Sequence, residues 1–286
     1  MAFIELKDVM VIYKPGTPYE AVALENINLS INKGEFLGII GPTGSGKSTL
    51  VQLFNGLIMP HRGKVLVDGI DLSDLKGYQL REIRRRIGLV FQYPENQLFG
   101  ETVAEDIAFG PRNLGFKEED VHRRVKEAME FVGLDYESFK DRSPFTLSGG
   151  EMRRTAIAGI LAMGPEVLVL DEPSAGMDPR GRREILSRIA GIHKELKIAV
   201  VLVSHNMDDI ARFAQRVIVL NEGKIVLEGT PQEIFSLGEK IRDLGLDVPP
   251  ITELVLRLKK RGINIRSDIC TVEEAREEIL RLLGRR

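Results

Sequence analysis

The chain has 286 residues, of which 43% are hydrophobic and 29% charged, a balance typical of a globular protein with a full core. Its formal net charge of −2 gives no global electrostatic reason to expect nucleic-acid binding, and a single cysteine excludes an internal disulfide. The longest apolar runs, such as IAVVLV at 198–203, are too short to cross a bilayer, and the N-terminal MAFIELKDV lacks the pattern of a secretion signal. We therefore expect a cytoplasmic protein.

The N-terminal part of the chain predicts β-strands. The segments FIELKDVMVIY (3–13) and ALENINLSI (23–31) alternate apolar and polar residues, as half-buried strands do. EFLGII (35–40) is almost wholly apolar, which suits a strand that is covered on both faces. STLVQLFNGL (48–57) follows with helical spacing, so a strand-to-helix junction is predicted between the last two segments.

A glycine-rich segment, GPTGSGKS (41–48), occupies that junction and matches the phosphate-loop pattern G-x-x-x-x-G-K-[ST]. Glycines let backbone N–H groups converge on phosphate oxygens, and the helix N-terminus adds partial positive charge. Lys47 can then reach the β- and γ-phosphates, and the Ser48 hydroxyl can bind Mg²⁺. The alternative is a simple glycine-rich turn. The predicted nucleotide contacts are Gly41, Pro42, Thr43, Gly44, Ser45, Gly46, Lys47, Ser48 and Thr49.

The middle of the chain changes character and predicts a helical insert at about residues 94–163. Before it, the basic run REIRRRIG (81–88) leads into a predicted strand and is interpreted as a solvated face rather than a partner-binding site. Within the insert, GGEMRRTAIAGILAM (149–163) has helical spacing. The segment at 118–134 places five apolar residues on one helical face: Val121, Val125, Ala128, Met129 and Val132.

Two further apolar strands are predicted after the insert, at EVLVLDEP (166–173) and IAVVLVSH (198–205), with a helix between them. This alternation favours a parallel sheet flanked by helices. A phosphate loop requires an acidic residue at the end of another buried strand, and Asp171 is placed to hold Mg²⁺ there, with Glu172 next to it as general base for the attacking water. A carboxylate pair in an ordinary loop is the alternative. Taken alone, a histidine such as His205 usually marks a capped strand end.

The C-terminal part is predicted to be helical and charged. DVPPITEL (247–254) is interpreted as a linker, because proline disfavours a helix interior. TVEEAREEILRLLG (271–284) begins with a capping box at Thr271 and Glu274. Its apolar stripe consists of Val272, Ala275, Ile279 and Leu282. This helix either packs on its own domain or binds a partner.

One more motif indicates a family. TLSGGEMRR (146–154) places Ser148 at a predicted helix start, 23 residues before Asp171, and resembles the signature motif of ATP-binding cassette (ABC) ATPases. The other marks of that family follow the same order. Gln92 matches the Q-loop, Asp178 the end of the D-loop, His205 the switch histidine, and Tyr13 the aromatic that stacks on adenine. The resemblance covers roughly residues 3–235.

The resemblance implies an α/β fold: a P-loop NTPase core with a mixed, mainly parallel sheet and flanking helices, an antiparallel β subdomain and an α-helical signature subdomain. It divides the chain into a nucleotide-binding domain at 1–235, with its helical subdomain at about 94–163, and a small helical extension at 236–286 that resembles a dimerisation region. It also implies ATP hydrolysis with ATP and Mg²⁺ as cofactors. The implied catalytic residues are Lys47, Gln92, Glu172 and His205. The implied Mg²⁺ site comprises Ser48, Gln92 and Asp171.

In this family two subunits close head to tail, so each chain supplies half of two sites. The implied contribution to the nucleotide of the opposite chain consists of Ser148, Gly149 and Gly150. Asp178 is a further implied nucleotide-binding residue, and Tyr13 is the one that stacks on adenine. The second ATPase is either an identical chain or a paralogue.

Within the family, FQYPENQLFGETVAEDIAFGP (91–111) looks like the ATPases of energy-coupling factor (ECF) transporters and their cobalt and nickel relatives. Glu151, where most of the superfamily has glutamine, is also usual there, and YKPGTPYEAVAL (13–24) resembles the second ATPase of the heterodimeric members. The resemblance implies that ATP hydrolysis powers uptake of a vitamin or a transition-metal ion. It further implies a membrane coupling subunit that docks between Pro94 and Pro111, a substrate-binding membrane subunit, no nucleic-acid partner, and a location on the cytoplasmic face of the membrane.

Three alternatives stay open from sequence. The chain could serve another class of ABC transporter, or act on nucleic acid as a soluble ABC ATPase. The second is disfavoured because Ser148 follows Lys47 by only 101 positions, which leaves no room for the long coiled coils of the repair members. The third, a nucleotide sensor without hydrolysis, is disfavoured by Glu172 and His205.

Overall fold

Two sheets and a set of flanking helices make up the computed structural model, which describes residues 2–284. The strands are β1 (Ala2–Tyr13), β2 (Ala21–Asn32), β3 (Phe36–Ile40), β4 (Arg62–Val67), β5 (Ile70–Asp71), β6 (Ile87–Val90), β7 (Val167–Asp171), β8 (Ala199–Val203), β9 (Arg216–Asn221) and β10 (Lys224–Gly229). The helices are α1 (Lys47–Phe54), α2 (Tyr78–Arg86), α3 (Val103–Asn113), α4 (Glu118–Val132), α5 (Tyr136–Phe139), α6 (Gly149–Leu161), α7 (Pro179–Leu196), α8 (Met207–Phe213), α9 (Pro231–Ser236), α10 (Gly238–Asp243), α11 (Pro250–Lys260) and α12 (Val272–Leu282). Three short 3-10 turns lie at Leu72–Asp74, Pro94–Gln97 and Pro144–Thr146.

The larger sheet has six strands in the order β10-β9-β3-β8-β7-β6. All neighbours pair in parallel except β9 and β10, which are antiparallel. The smaller sheet is antiparallel, in the order β2-β1-β4-β5. The predicted α/β fold class, with a mainly parallel sheet and an antiparallel β region, is therefore confirmed.

The parallel strands are buried on both faces, which explains their almost continuous apolar sequences. In β7, Val167 and Val169 join the core between the two sheets, whereas Leu168 and Leu170 join the core on the helical side. Alternate residues of β3 and β8 divide in the same way. Because these strands are fixed from both sides, the loops at their carboxyl ends start from rigid positions.

The predicted helical insert is present between β6 and β7. Its helix α4 covers most of the segment expected to be helical and buries all five predicted residues of its apolar face. Gly133 ends α4 with φ +72°, a conformation that favours glycine. The helix packs against α3, α6 and α7, so α7 links it to the core, and α6 makes a second link through β6.

The predicted linker at 247–254 is only partly correct. Helix α11 begins at Pro250 and continues through residues 251–254, with Pro249 as its N-cap. Proline is compatible with the first turn of a helix, where its missing N–H has no partner to lose. The two prolines therefore start a helix instead of separating two units.

The predicted apolar stripe of α12 was wrong in its orientation, although its capping box at Thr271 and Glu274 is present. The buried residues of the helix are Ala275 and Glu278, whereas Val272 is 65% exposed. Glu278 accepts hydrogen bonds from the Arg266 backbone and the Arg281 side chain. A paired carboxylate thus replaces an apolar residue on the inner face.

The basic run at 81–88 is also more than a solvated face. It forms the end of α2 and the start of β6, and Arg86 bridges Asp68 and Glu166 at one end of the sheet. Arg84 donates to the Gly56 carbonyl.

No helix in residues 2–284 combines the length and apolar character needed to span a membrane.

Candidate active site

The phosphate loop connects β3 to α1, as predicted. Gly44 and Gly46 have φ values of +81° and +101°, which favour glycine. A Cβ on Gly46 would lie 2.6 Å from the Ala23 carbonyl oxygen, and one on Gly41 would lie 2.2 Å from that of Leu220. Close backbone packing therefore requires glycine at both positions, and at Gly46 the backbone conformation requires it as well. The loop leads directly into the N-terminus of α1, whose partial positive charge favours binding of an anion.

Lys47 is buried at the first position of α1. Its Nζ donates to the carbonyl oxygens of Gly41 at 2.8 Å and Pro42 at 2.9 Å, which holds the ammonium group over the loop. Burial lowers its pKa, and the negative charges of Glu172 and Asp171 partly oppose that effect. The side chain is thus a desolvated cation next to the loop.

The loop also fits a phosphate group. The Ser45 hydroxyl oxygen is buried and has no hydrogen-bond partner among the described residues. A buried hydroxyl without a partner costs free energy, so such groups usually serve a ligand or a bound water. Together with the Lys47 ammonium group, this hydroxyl suits an oxyanion.

Asp171 and Glu172 lie at the carboxyl end of β7, as predicted. The Asp171 carboxylate is hydrogen-bonded to Ser48, which brings together the two residues expected to hold Mg²⁺. Burial raises the pKa of Asp171, while the Ser48 hydrogen bond and the positive charge of Lys47 act in the opposite direction. A carboxylate and a hydroxyl are oxygen ligands of the kind that Mg²⁺ prefers, so the donor set fits this ion.

Glu172 and His205 form a direct pair. Oε1 of Glu172 lies 2.6 Å from Nε2 of His205, which follows β8. Glu172 has φ +52°, a strained conformation for a residue with a side chain. Because β7 and β8 are neighbours, their carboxyl ends place the carboxylate and the imidazole at one edge of the sheet.

The remaining residues predicted for the chain's own nucleotide lie around this edge. The Tyr13 ring is partly exposed, and its hydroxyl is 3.1 Å from Oγ1 of Thr49. Gln92 is exposed and follows β6, the edge strand next to β7. The structure brings Lys47, Ser48, Asp171, Glu172 and His205 together and places Gln92 on the same edge of the sheet.

The signature residues lie on a separate element, α6. Ser148 is the N-cap of this helix and forms a capping box with Glu151. Asp178 is the exposed N-cap of α7, where hydrogen bonds from the backbone of Gly181 and Arg180 lower its pKa. In residues 2–284 no hydrogen bond joins Ser148, Gly149 or Gly150 to the phosphate loop of the same chain.

A buried charge pair connects the helices that follow these motifs. Asp209 on α8 is 5% exposed, and its Oδ2 lies 3.6 Å from Nε of Arg182 on α7. Burial raises the pKa of Asp209 to about 6, with Arg182 opposing the shift and Asp208 adding to it. In the unfolded chain the same group has a pKa near 3.8.

This difference predicts a pH dependence of stability. Between about pH 4 and 6 the folded state binds more protons than the unfolded state, so the contribution of Asp209 is complete below pH 3.8 and is lost as the pH rises through 6. The loss amounts to about 3 kcal/mol. We expect urea unfolding of Asp209→Asn to show a weaker fall in stability over this range than the wild type. Parallel curves for the two proteins would contradict the assignment.

An apolar groove lies on the helical side of the site, with a volume near 610 Å³. Phe99 and Phe109 are exposed there and pack edge to face with their ring centroids 4.7 Å apart. The lining also includes residues of the 3-10 turn Pro94–Gln97, of α3 and α6, of the end of β6, and the arginines of α2. The groove thus coincides with the segment predicted for docking of a membrane subunit.

Other residues near the site were not signalled by the sequence. Glu95 and Arg153 are 58 positions apart and match no general motif, yet they form an ion pair of 2.6 Å. Tyr93 has φ +54°, and no local glycine or turn pattern announces it. These contacts depend on how α6 packs against the loops, which local sequence does not encode.

Comparisons with known proteins agree with this geometry. The family model described as "ABC transporter" matches residues 24–175. A protein of Caldanaerobacter subterraneus subsp. tengcongensis named "Energy-coupling factor transporter ATP-binding protein EcfA2" is 58% identical over 280 residues, which cover 98% of this chain and 97% of that protein. A protein of the same name from Clostridium perfringens is 51% identical, with 98% of both chains covered.

Two solved structures share the fold. The cbiO1 protein of Clostridium perfringens, part of the ABC transporter complex cbiONQ, is 38% identical with a TM-score of 0.75, covering 85% of this chain and 94% of that one. The ATP-binding cassette MJ0796, in a dimeric post-hydrolysis state bound to ADP and Pi, is 33% identical with a TM-score of 0.71, covering 80% and 98%. With relatives of this identity over nearly its full length, the chain belongs to the ABC transporter ATPase family, in the group of the ECF transporter ATP-binding proteins.

Proposed function

We propose that the chain is the ATP-binding and hydrolysing subunit of an ECF-type ABC importer, and that it powers uptake of a vitamin or a transition-metal ion through membrane partners. The Glu172–His205 pair carries this proposal, since it lies at the same sheet edge as the phosphate loop and Asp171. The names of the full-length relatives support the transporter class.

The chemistry follows from the placement of the side chains. The phosphates of ATP bind the backbone N–H groups of the loop and the Lys47 ammonium group. Ser48, Asp171 and Gln92 would hold Mg²⁺, which would supply positive charge to neutralise the phosphate oxygens. Glu172 accepts a proton from the attacking water, and His205 holds the Glu172 carboxylate in position through their 2.6 Å contact. Tyr13 stacks on the adenine.

The site is completed by a second ATPase. Ser148, Gly149 and Gly150 form the N-terminus of α6, which has 13 residues, and this end is available for the γ-phosphate of the opposite chain. Asp178 lies at the same interface. The dimeric state of the MJ0796 cassette bound to ADP and Pi supports the pairing of two such subunits. We further propose that residues 236–286 add a dimerisation surface, because α11 and α12 expose Leu254, Val272 and Leu282.

The groove is proposed as the docking site of a helix from the membrane coupling subunit, which places the chain on the cytoplasmic face of the membrane. Its apolar floor and two exposed aromatic side chains, Phe99 and Phe109, fit an apolar helical face. A cavity of this size is sufficient for several side chains of such a helix.

Truncation of these aromatics should uncouple hydrolysis from transport. In vesicles containing the whole complex, Phe99→Ala/Phe109→Ala is expected to lower ATP-driven uptake at least about tenfold, because aromatic anchors dominate docking energies. Hydrolysis by the ATPase subunits without their membrane partners should stay within about twofold of the wild type. Uptake is measured with a panel of radiolabelled vitamins and of nickel and cobalt ions.

The matched control is Ile70→Ala, an exposed apolar side chain on the small sheet. Unchanged uptake by the double variant would overturn the docking site. If wild-type vesicles hydrolyse ATP but take up none of the panel, the assignment of substrate class is wrong.

A further inference from the structure

Arg153 is a buried cation that joins three elements of the site. It lies on α6, five residues after the signature serine, and is 3% exposed. Its Nε and Nη2 donate to the two carboxylate oxygens of Glu95 at 3.1 and 2.6 Å. Its Nη1 donates to the carbonyl oxygens of Pro173 at 3.0 Å and Ala175 at 2.9 Å. One guanidinium group thus makes four hydrogen bonds to two separate loops.

The two loops have different proposed tasks. Glu95 belongs to the 3-10 turn Pro94–Gln97, which lines the docking groove. Pro173 and Ala175 belong to residues 172–178, the catalytic loop, which runs from Glu172 to Asp178. Arg153 therefore connects the groove to the loop that carries the general base.

Other contacts bring the same elements together. Tyr93 has φ +54°, and its ring packs against Gly176 in the catalytic loop: a Cβ placed on Gly176 would lie 3.8 Å from a ring carbon of Tyr93. The Met177 methyl group packs against Gly150 on α6, where it would lie 3.8 Å from a Cβ placed on that glycine. The groove turn, the catalytic loop and the start of α6 consequently pack around the Arg153 side chain.

A buried ion pair is an expensive way to gain stability, because both charges lose their hydration. The bidentate geometry and the two carbonyl acceptors satisfy the fork of the guanidinium group in a way that lysine cannot reproduce. Such a group fixes the relative positions of the elements that it joins. Packed networks of this kind can carry coupling between distant sites.

We propose that Arg153 is a positioning residue that sets the catalytic loop relative to the groove turn, so that Glu95, on the groove side, controls the placement of Glu172. The inference rests on the proposed function, because it assigns Glu172 as base and the groove as docking site. Among the described residues, neither the Glu95 nor the Arg153 side chain forms a hydrogen bond to the phosphate loop. Their effect on hydrolysis passes through the catalytic loop.

Two variants separate the contacts of Arg153 with Glu95 from its contacts with the catalytic loop. Arg153→Lys keeps a positive charge near Glu95 but loses the bonds to the Pro173 and Ala175 carbonyls. In Glu95→Gln the new side chain has almost the same shape as glutamate. It leaves the bonds of Arg153 to the Pro173 and Ala175 carbonyls in place and weakens only the bonds between Arg153 and position 95. Among the described residues, the Glu95 side chain makes hydrogen bonds to Arg153 alone.

The matched controls come from a similar pair at the far end of the sheet. Arg216 binds Glu35 and Glu228, each at 2.6 Å, and the Ser30 carbonyl, and it lies outside the catalytic and groove elements. Glu35→Gln and Arg216→Lys therefore weaken another arginine–glutamate pair without touching the proposed network. All variants are compared at a temperature at which circular dichroism shows each to be folded.

The experiment measures kcat and KM for Mg-ATP, in whichever form the wild type is active, alone or with its second ATPase, and without membrane subunits. We expect Arg153→Lys and Glu95→Gln each to lower kcat about tenfold with KM changed less than about twofold, and the double variant to be no slower than the slower single variant. Values of kcat within twofold of the controls would overturn the proposal, as would fully additive losses. A wild type without Mg-ATP hydrolysis would instead overturn the proposed function.

Discussion

Glu172→Gln is expected to lower the rate of ATP hydrolysis by about 10²- to 10⁴-fold, the usual contribution of a general base, while ATP still binds. The amide keeps the shape of the carboxylate and can keep the contact with His205, whose Nε2 lies 2.6 Å from Oε1 in the wild type. It cannot accept the proton of the attacking water. Steady-state phosphate release measures the effect, and Glu184→Gln, an exposed glutamate on α7, is the control. Unchanged turnover would remove Glu172 as the base.

The same variant should accumulate the ATP-bound dimer, because hydrolysis is the step that opens it. Light scattering with and without Mg-ATP measures this state. A homodimer that forms with ATP would mean that one chain completes both sites, as in single-ATPase systems. A monomer that binds ATP but dimerises only with a second ATPase would show that the chain works in a heterodimeric pair.

Lys47→Ala is expected to weaken ATP affinity by about a hundredfold, which corresponds to the loss of one or two charge-assisted hydrogen bonds to phosphate. The ammonium group is already held over the loop by the Gly41 and Pro42 carbonyls, so little reorganisation is needed when it binds a phosphate. Isothermal titration with Mg-ATP gives the dissociation constants of the variant and the wild type.

Lys64→Ala provides the control for this measurement, because Lys64 is an exposed lysine on β4 paired with Asp71. It removes the same charge at a distance from the loop. An affinity of Lys47→Ala equal to that of the control would contradict the phosphate-loop assignment. Loss of hydrolysis with unchanged affinity would restrict Lys47 to the chemical step.

The sequence predicted much of the site because its motifs follow strands. The phosphate loop follows β3, Glu172 follows β7 and His205 follows β8. Carboxyl ends of parallel strands meet at one edge of a sheet, so residues far apart in the chain converge there. Periodicity likewise predicted the buried face of α4, since an apolar stripe at helical spacing has to be covered.

The sequence-based predictions were wrong for the two C-terminal helices, α11 and α12, where packing against neighbouring elements decides which residues are helical and which are buried. The apolar stripe of α12 is correct as a pattern, but the helix turns Ala275 and Glu278 inward, because the carboxylate of Glu278 is paired there. Residues 251–254 were expected in a linker and lie in α11, because Pro249 and Pro250 occupy its start. A periodic pattern defines a face but not what covers it.

The sequence by itself therefore determined the family, the fold class and the residues of the phosphate loop, whose chemistry resides in short continuous segments. Only the tertiary structure decided that β7 lies beside β8, so that Glu172 meets His205, and that α6 brings Arg153 to Glu95 and the catalytic loop. Motifs are local in the chain and can be recognised one at a time. Pairings between them depend on strand order and on helix packing, which are set by the burial of the whole core.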